Sequence, residues 1–120
     1  PTAIETIGSL HTEGWPGVMA ANHELGIKGR EIVCSALGID EPISANDVGS
    51  MATIPLPGGR SRIPNGDFDP LTERLRGSWA IEVPVFSWRD WPRRLLRISA
   101  QRYNTENDYR RLAEALQSEL

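Results

Sequence analysis

The chain has 120 residues, 39% of them hydrophobic and 24% charged, with a net charge of −3. That supports one globular domain with a modest core and gives no overall drive toward nucleic acid or an anionic membrane. A single cysteine excludes an internal disulfide and fits a reducing, cytoplasmic compartment, and no apolar run approaches the ~20 residues that span a bilayer.

Charge is unevenly spread. Residues 1–59 carry seven acids against Lys28 and Arg30, whereas residues 60–120 carry eleven arginines against nine acids. Arginine outnumbers lysine twelve to one. Fixed ion pairs and carboxylate recognition would explain that bias, and so would a GC-rich genome.

Ile4, Ile7 and Leu10 recur at helical spacing, so residues 3–10 read as the end of a helix. Residues 1–10 lack the basic start and long apolar stretch of a signal peptide. His11 to Gly14 is a break, and Trp15-Pro16 opens a long helix, with proline in its first turn. Val18, Ala21, Leu25, Ile32 and Ala36 form the expected buried stripe. Gly26 and Gly29 each cost about 1 kcal/mol in a helix interior and give a neighbouring element room for close approach. Gly38 ends the helix.

Asp40 to Asp47 reads as a loop. Ser50 to Leu56 reads as a strand at a sheet edge, because Pro55 and Pro57 interrupt it. Turns follow at Pro57-Gly58-Gly59 and Pro64-Asn65-Gly66-Asp67. Asp69 caps a short helix with Pro70 at its first position, expected to stop at Gly77. Trp79 to Phe86 is the second expected strand, with Ile81, Val83 and Val85 inward and Pro84 lacking a ladder donor. Arg89 to Arg93 turns the chain into a third strand, Arg94 to Gln101. Thr105 then caps a last helix with Asp108 three residues on, and Tyr109, Leu112, Ala113 and Leu116 form its buried stripe. The sum is an α+β fold: a small, mostly antiparallel three-stranded sheet with helices on one face.

Within the third strand, Leu96, Ile98 and Ala100 alternate onto one face, and Leu95, Arg97 and Ser99 share the other. Arg97 is thus a cation displayed from a rigid strand. Its planar fork can bond both oxygens of a carboxylate. The structural alternative is an ion pair with Glu82 on the neighbouring strand. Ser99 shares the face and could support the guanidinium. Tyr103 and Asn104 follow where the chain turns toward the helix cap, and Asn104 is also suited to a local turn bond.

Other candidates have plain readings. Cys34 sits inside a helix with no nearby histidine and reads as a buried structural thiol. His11 and His23, without a cysteine or acid cluster, make no metal site. Gly26-Ile27-Lys28-Gly29 matches a nucleic-acid-clamping loop in spelling only, and Gly58-Gly59-Arg60 reads as a turn. Trp88 and Trp91 either pack under the loop or lie exposed as an apolar patch.

Six pieces of the chain together carry a resemblance. They are Gly14-Trp15-Pro16; Ala21-Asn22-His23-Glu24-Leu25; Cys34-Ser35-Ala36-Leu37-Gly38-Ile39; Gly49-Ser50-Met51-Ala52 with Pro55-Leu56-Pro57; the stretch Ile81 to Phe86; and Leu95-Leu96-Arg97-Ile98-Ser99-Ala100-Gln101 with Tyr103-Asn104. In this order they resemble the C-terminal domain of class V aminotransferases, which are fold-type I pyridoxal-phosphate enzymes. The likeness runs over nearly the whole chain and is nearest to the isopenicillin-N-epimerase-like members.

The resemblance implies the same α+β fold and gives Arg97 the substrate α-carboxylate. It places Tyr103 and Asn104 near the site, with no chemical role. It puts the Schiff-base lysine and the pyridoxal phosphate in a large domain preceding this segment, since Lys28 is at no catalytic position. Residues 1–14 are then the remnant of a large-domain helix and linker, and 15–120 the C-terminal domain. The full-length enzyme would be a cytoplasmic homodimer acting at the α-carbon of a small amino-acid-like or peptide substrate, and this segment alone would be inactive. Epimerisation, transamination and elimination (the last including C–S lyase or cysteine desulfurase chemistry) stay open, as does a free-standing binding domain.

Overall fold

A computed structural model describes residues 2–59, 69–88 and 92–120. In chain order the elements are α1 (Thr2–Gly8), α2 (Gly14–Leu37), a short 3-10 turn (Ala45–Asp47), β1 (Met51–Leu56), α3 (Pro70–Trp79), β2 (Val85–Ser87), β3 (Arg94–Ser99) and α4 (Glu106–Glu119). The three strands form an antiparallel sheet in the order β1-β3-β2. This is the expected α+β architecture, with β1 and its Pro55 at an edge.

Alternation decides the two faces of the sheet. Ala52, Ile54, Leu56, Val85, Leu96, Ile98 and Ala100 point inward and are buried. They meet Val33 and Cys34 of α2, Leu71 and Leu75 of α3, and Leu112, Ala113 and Leu116 of α4 in one core. Met51, Arg97 and Ser99 stand exposed on the opposite face.

Local chemistry sets the helix ends. Gly38 takes a left-handed conformation (φ 64°) and closes α2, its N–H reaching the carbonyl of Ser35 at 3.2 Å. The Asp69 carboxylate accepts the Leu71 N–H at 2.9 Å at the start of α3. At the start of α4 the Asp108 carboxylate accepts from the Thr105 N–H at 2.8 Å.

The structure departs from the sequence reading in three places. The deepest line of α2 runs through Val18, Asn22, Gly26, Gly29, Arg30, Val33 and Cys34. Leu25, Ile32 and Ala36 pack only at the margin of the core. The reason is close approach. A Cβ on Gly29 would lie 2.8 Å from the Tyr109 ring, and one on Gly26 would lie 3.6 Å from the Ala100 methyl. At Gly29 glycine lets α4 press directly on the α2 backbone, whereas a methyl at residue 26 would meet its neighbours in ordinary contact.

Helix α3 continues through Gly77 to Trp79 and is closed by Ala80 in a left-handed conformation (φ 53°). The Trp79 indole donates to Glu119 of α4 at 3.2 Å, a tertiary hold on the extra turn. The second strand is correspondingly shorter than expected. Residues 80–84 precede it without regular structure, and the ladder with β3 begins at Val85. The third strand ends at Ser99. The Pro64–Asp67 turn and Trp91 lie outside the described residues.

Candidate carboxylate-binding site

Strand β3 carries two arginines three residues apart, and alternation sends them to opposite faces. Arg94 shares parity with Leu96 and Ile98 and points in. Its side chain is 9% exposed and meets an Asp69 carboxylate that is 3% exposed. Nη1 lies 3.2 Å from both Asp69 oxygens, and Nε donates to the Pro57 carbonyl at 2.7 Å. The alternation within β3 is enough to place this residue inward, although the sequence reading passed over it. Buried Arg30 was passed over as well. It is fully buried on α2, where it pairs with Glu41 and donates to the Ile43 carbonyl at 3.0 Å. A hydrophobic-periodicity search does not look for a cation in a core line.

Arg97 is the opposite case. It is exposed on the open face, and among the described residues it joins no ion pair. Glu82, its expected structural partner, is exposed and does not reach it within 4.0 Å. The backbone of Arg97 is nevertheless firmly held. Its N–H donates to the Pro84 carbonyl at 3.1 Å, and Thr53 stands opposite it on β1.

Beside Arg97 lies a cleft of about 290 Å³. Segment 80–84 forms one wall, the outer edge of β3 from Arg97 to Ser99 forms the floor, and Tyr109, Arg111 and Leu112 of α4 form the other wall. Asn104 lines it too. The structure therefore brings Arg97, Ser99 and Asn104 to one cleft. Tyr103, 80% exposed, stands apart from its lining.

Most polar groups around the cleft are committed. Asp108 is engaged in the α4 cap. Arg111 donates to the Trp79 carbonyl at 2.5 Å. The Asn104 side-chain oxygen accepts the Gln101 N–H at 3.1 Å, which is the local turn bond. The Tyr109 hydroxyl donates to the Ser99 carbonyl at 3.2 Å, and burial followed by the Asp108 charge pushes its pKa above the ordinary 10.0. Arg97 is the cation at this cleft with its guanidinium uncommitted among the described residues. Charge-assisted bonds from it to a carboxylate would contribute roughly 1.5–3 kcal/mol.

The described residues do not fit pyridoxal phosphate as a resident group. Its Schiff base needs a lysine of lowered pKa, and Lys28 is the chain's one lysine. Lys28 is exposed on α2 and lines different clefts. It is paired with Glu31 at 2.9 Å, and the hydrogen bond to that carboxylate pushes its pKa up. Cys34 is buried, and burial raises its thiol pKa, which suits packing and opposes nucleophilic use. His11 accepts the Glu13 N–H at 3.1 Å within a turn, and no metal-binding cluster occurs among the described residues. Trp88 is 49% exposed, as are Ile4 at 55% and Met19 at 66%.

No family model matches the chain, and no curated protein matches it.

Proposed function

We propose that this chain is the C-terminal small domain of a pyridoxal-phosphate enzyme of the class V aminotransferase type, in its isopenicillin-N-epimerase-like branch. Its contribution is the carboxylate clamp, Arg97. The observation that carries the proposal is the contrast within β3: one arginine is consumed by a buried carboxylate, and the next is exposed beside a cleft without one among the described residues. A guanidinium on a hydrogen-bonded strand is held ready, so little further ordering is needed when it meets a carboxylate.

Arg97 would fix an amino-acid-like substrate by its acid end and so orient the α-carbon. Ser99 and Asn104 shape the same cleft, and Tyr103 is exposed outside its lining. The coenzyme, its lysine and a homodimer partner belong to a domain outside these residues. Supporting this reading are the motif order of the chain, the α+β fold and the chemistry of Arg97.

The test is expression of the natural reading frame with pyridoxal phosphate, followed by a substrate screen for racemisation, keto-acid formation and sulfide release. Arg97→Lys should lower kcat/KM for carboxylate substrates by at least about tenfold with coenzyme loading unchanged, because one ammonium cannot replace a fork. Unchanged kinetics would remove Arg97 from the site. Sulfide release would select the C–S lyase alternative, although buried Cys34 offers no desulfurase nucleophile. A non-catalytic binding domain is the second reading, and an exposed Arg97 beside a cleft suits it as well.

A further inference from the structure

Two opposite charges remain at the cleft beside Arg97 once its other charged groups are accounted for. Asp108 accepts the Thr105 N–H at 2.8 Å and the Thr105 hydroxyl at 3.2 Å, so its carboxylate is committed to the α4 cap. Arg111 is held by the Trp79 carbonyl. Glu82 and Arg97 are left, both exposed and both lining the cleft. Neither joins an ion pair among the described residues, and they do not reach each other within 4.0 Å. The backbone on either side of Glu82 is pinned. The Ile81 N–H bonds the Leu75 carbonyl of α3 at 3.1 Å, and the Pro84 carbonyl accepts the Arg97 N–H at 3.1 Å. Glu82 is therefore a carboxylate carried on a fastened wall, next to a cation carried on a strand.

We propose that the cleft selects an amino acid with a cationic side chain, its α-carboxylate on Arg97 and its side-chain ammonium on Glu82. This rests on the proposed function's reading of Arg97 as the carboxylate clamp and adds Glu82 to it as a specificity-determining residue. In that reading the α-amine is reserved for the coenzyme, so the cation that meets Glu82 comes from the side chain. The stem between the two charges has a suitable surface, because Ile81, Val83 and Leu112 also line the cleft and methylene groups pack along apolar side chains. The volume of about 290 Å³ is that of a small-ligand site. Glu82 also works by exclusion: a ligand with a second carboxylate brings like charge to it. Diamino acids are thus favoured, and dicarboxylic amino acids are disfavoured.

The probes are lysine, norleucine and 2-aminoadipate, titrated at constant ionic strength into the isotopically labelled 120-residue chain and followed by amide NMR. They share the α-amine and the α-carboxylate and differ in the charge at the end of the side chain, which is positive, absent and negative in turn. All should shift the amides around the cleft, with lysine about three- to fivefold tighter than norleucine and 2-aminoadipate the weakest. Glu82→Gln should bring the probes within about twofold of one another, and Arg97→Gln should weaken every one of them. Both substitutions fall at exposed positions, and the amide spectrum itself reads whether the fold is kept. Equal binding of lysine and norleucine to the parent, or a lysine preference that persists in Glu82→Gln, overturns the inference. The clamp then stands if Arg97→Gln still weakens norleucine. Lysine binding unchanged by Arg97→Gln, or no response to any probe, overturns the clamp and the inference together.

Discussion

Arg94 and Arg97 share a strand, a side-chain chemistry and nearly a position, yet they do opposite things. Arg94 faces the core and is consumed by Asp69 and the Pro57 carbonyl. Arg97 faces out and meets no carboxylate among the described residues. The pleat alone makes the difference: a shift of three residues reverses the face. A guanidinium buried with its partner is part of the architecture, because removing either member strands a charge in low dielectric. A guanidinium displayed on a rigid strand without a partner stabilises little and is available to a ligand.

The strongest way to break this comparison is to strip the inner arginine. Arg94→Met leaves the Asp69 carboxylate buried without its cation, and the expected loss of stability is roughly 3–5 kcal/mol. Denaturant titration measures it. Adding Asp69→Asn should recover part of the loss, since the amide keeps an oxygen for the Leu71 N–H and removes the stranded charge. A loss below about 1 kcal/mol for Arg94→Met would mean the pair is not structural, and the two arginines would no longer be opposites.

A smaller effect is expected where the scaffold of the outer arginine is braced. Tyr109 ties α4 to the outer edge of β3 through the Ser99 carbonyl, and its ring lies against Gly29. A methyl at residue 29 would meet that ring at 2.8 Å. Overpacking costs about 1–3 kcal/mol, and alanine returns about 1 kcal/mol of helix propensity. Gly29→Ala should therefore destabilise by about 1 kcal/mol and perturb the Ser99 amide. In a Tyr109→Leu background the clash is relieved, and the same substitution should become neutral or stabilising. If Gly29→Ala stabilises the protein with Tyr109 in place, the helix contact is looser than the structure has it.

Much of this was legible before the structure. Alternation alone put Arg97 outside and Ile98 inside, because a strand permits only two faces. Thr105 with Asp108, and Asp69 with Pro70, marked their helix starts because those groups satisfy N–H groups that the helix itself leaves open. The long helix was legible in extent but not in orientation. Its deep line holds Asn22, Gly26, Gly29 and Arg30, residues that enter a core for close approach or for a specific partner, and apolar spacing does not register them. The overextended second strand had a different cause. Ile81, Val83 and Val85 alternate correctly, but α3 keeps Trp79 through its bond to Glu119, a contact 40 residues away in sequence. Pro84 was read as a missing donor. Its consequence, an Arg97 carbonyl without its ladder bond, needs the register of β2 against β3, and no single strand contains that.

The smallest expected effect on stability belongs to the residue of greatest functional interest. Arg97→Gln removes an exposed guanidinium with no ion pair among the described residues, and its fold stability should stay within about 0.5 kcal/mol of the parent. Thermal and denaturant midpoints check this directly. The value of the experiment lies in the pairing with Arg94→Met on the same strand. If both substitutions destabilise alike, Arg97 has a structural partner and is no longer ready for a ligand. If Arg97→Gln leaves the fold intact and lowers kcat/KM of the natural reading frame's product for carboxylate substrates, one strand divides its two cations between holding the domain together and meeting a carboxylate.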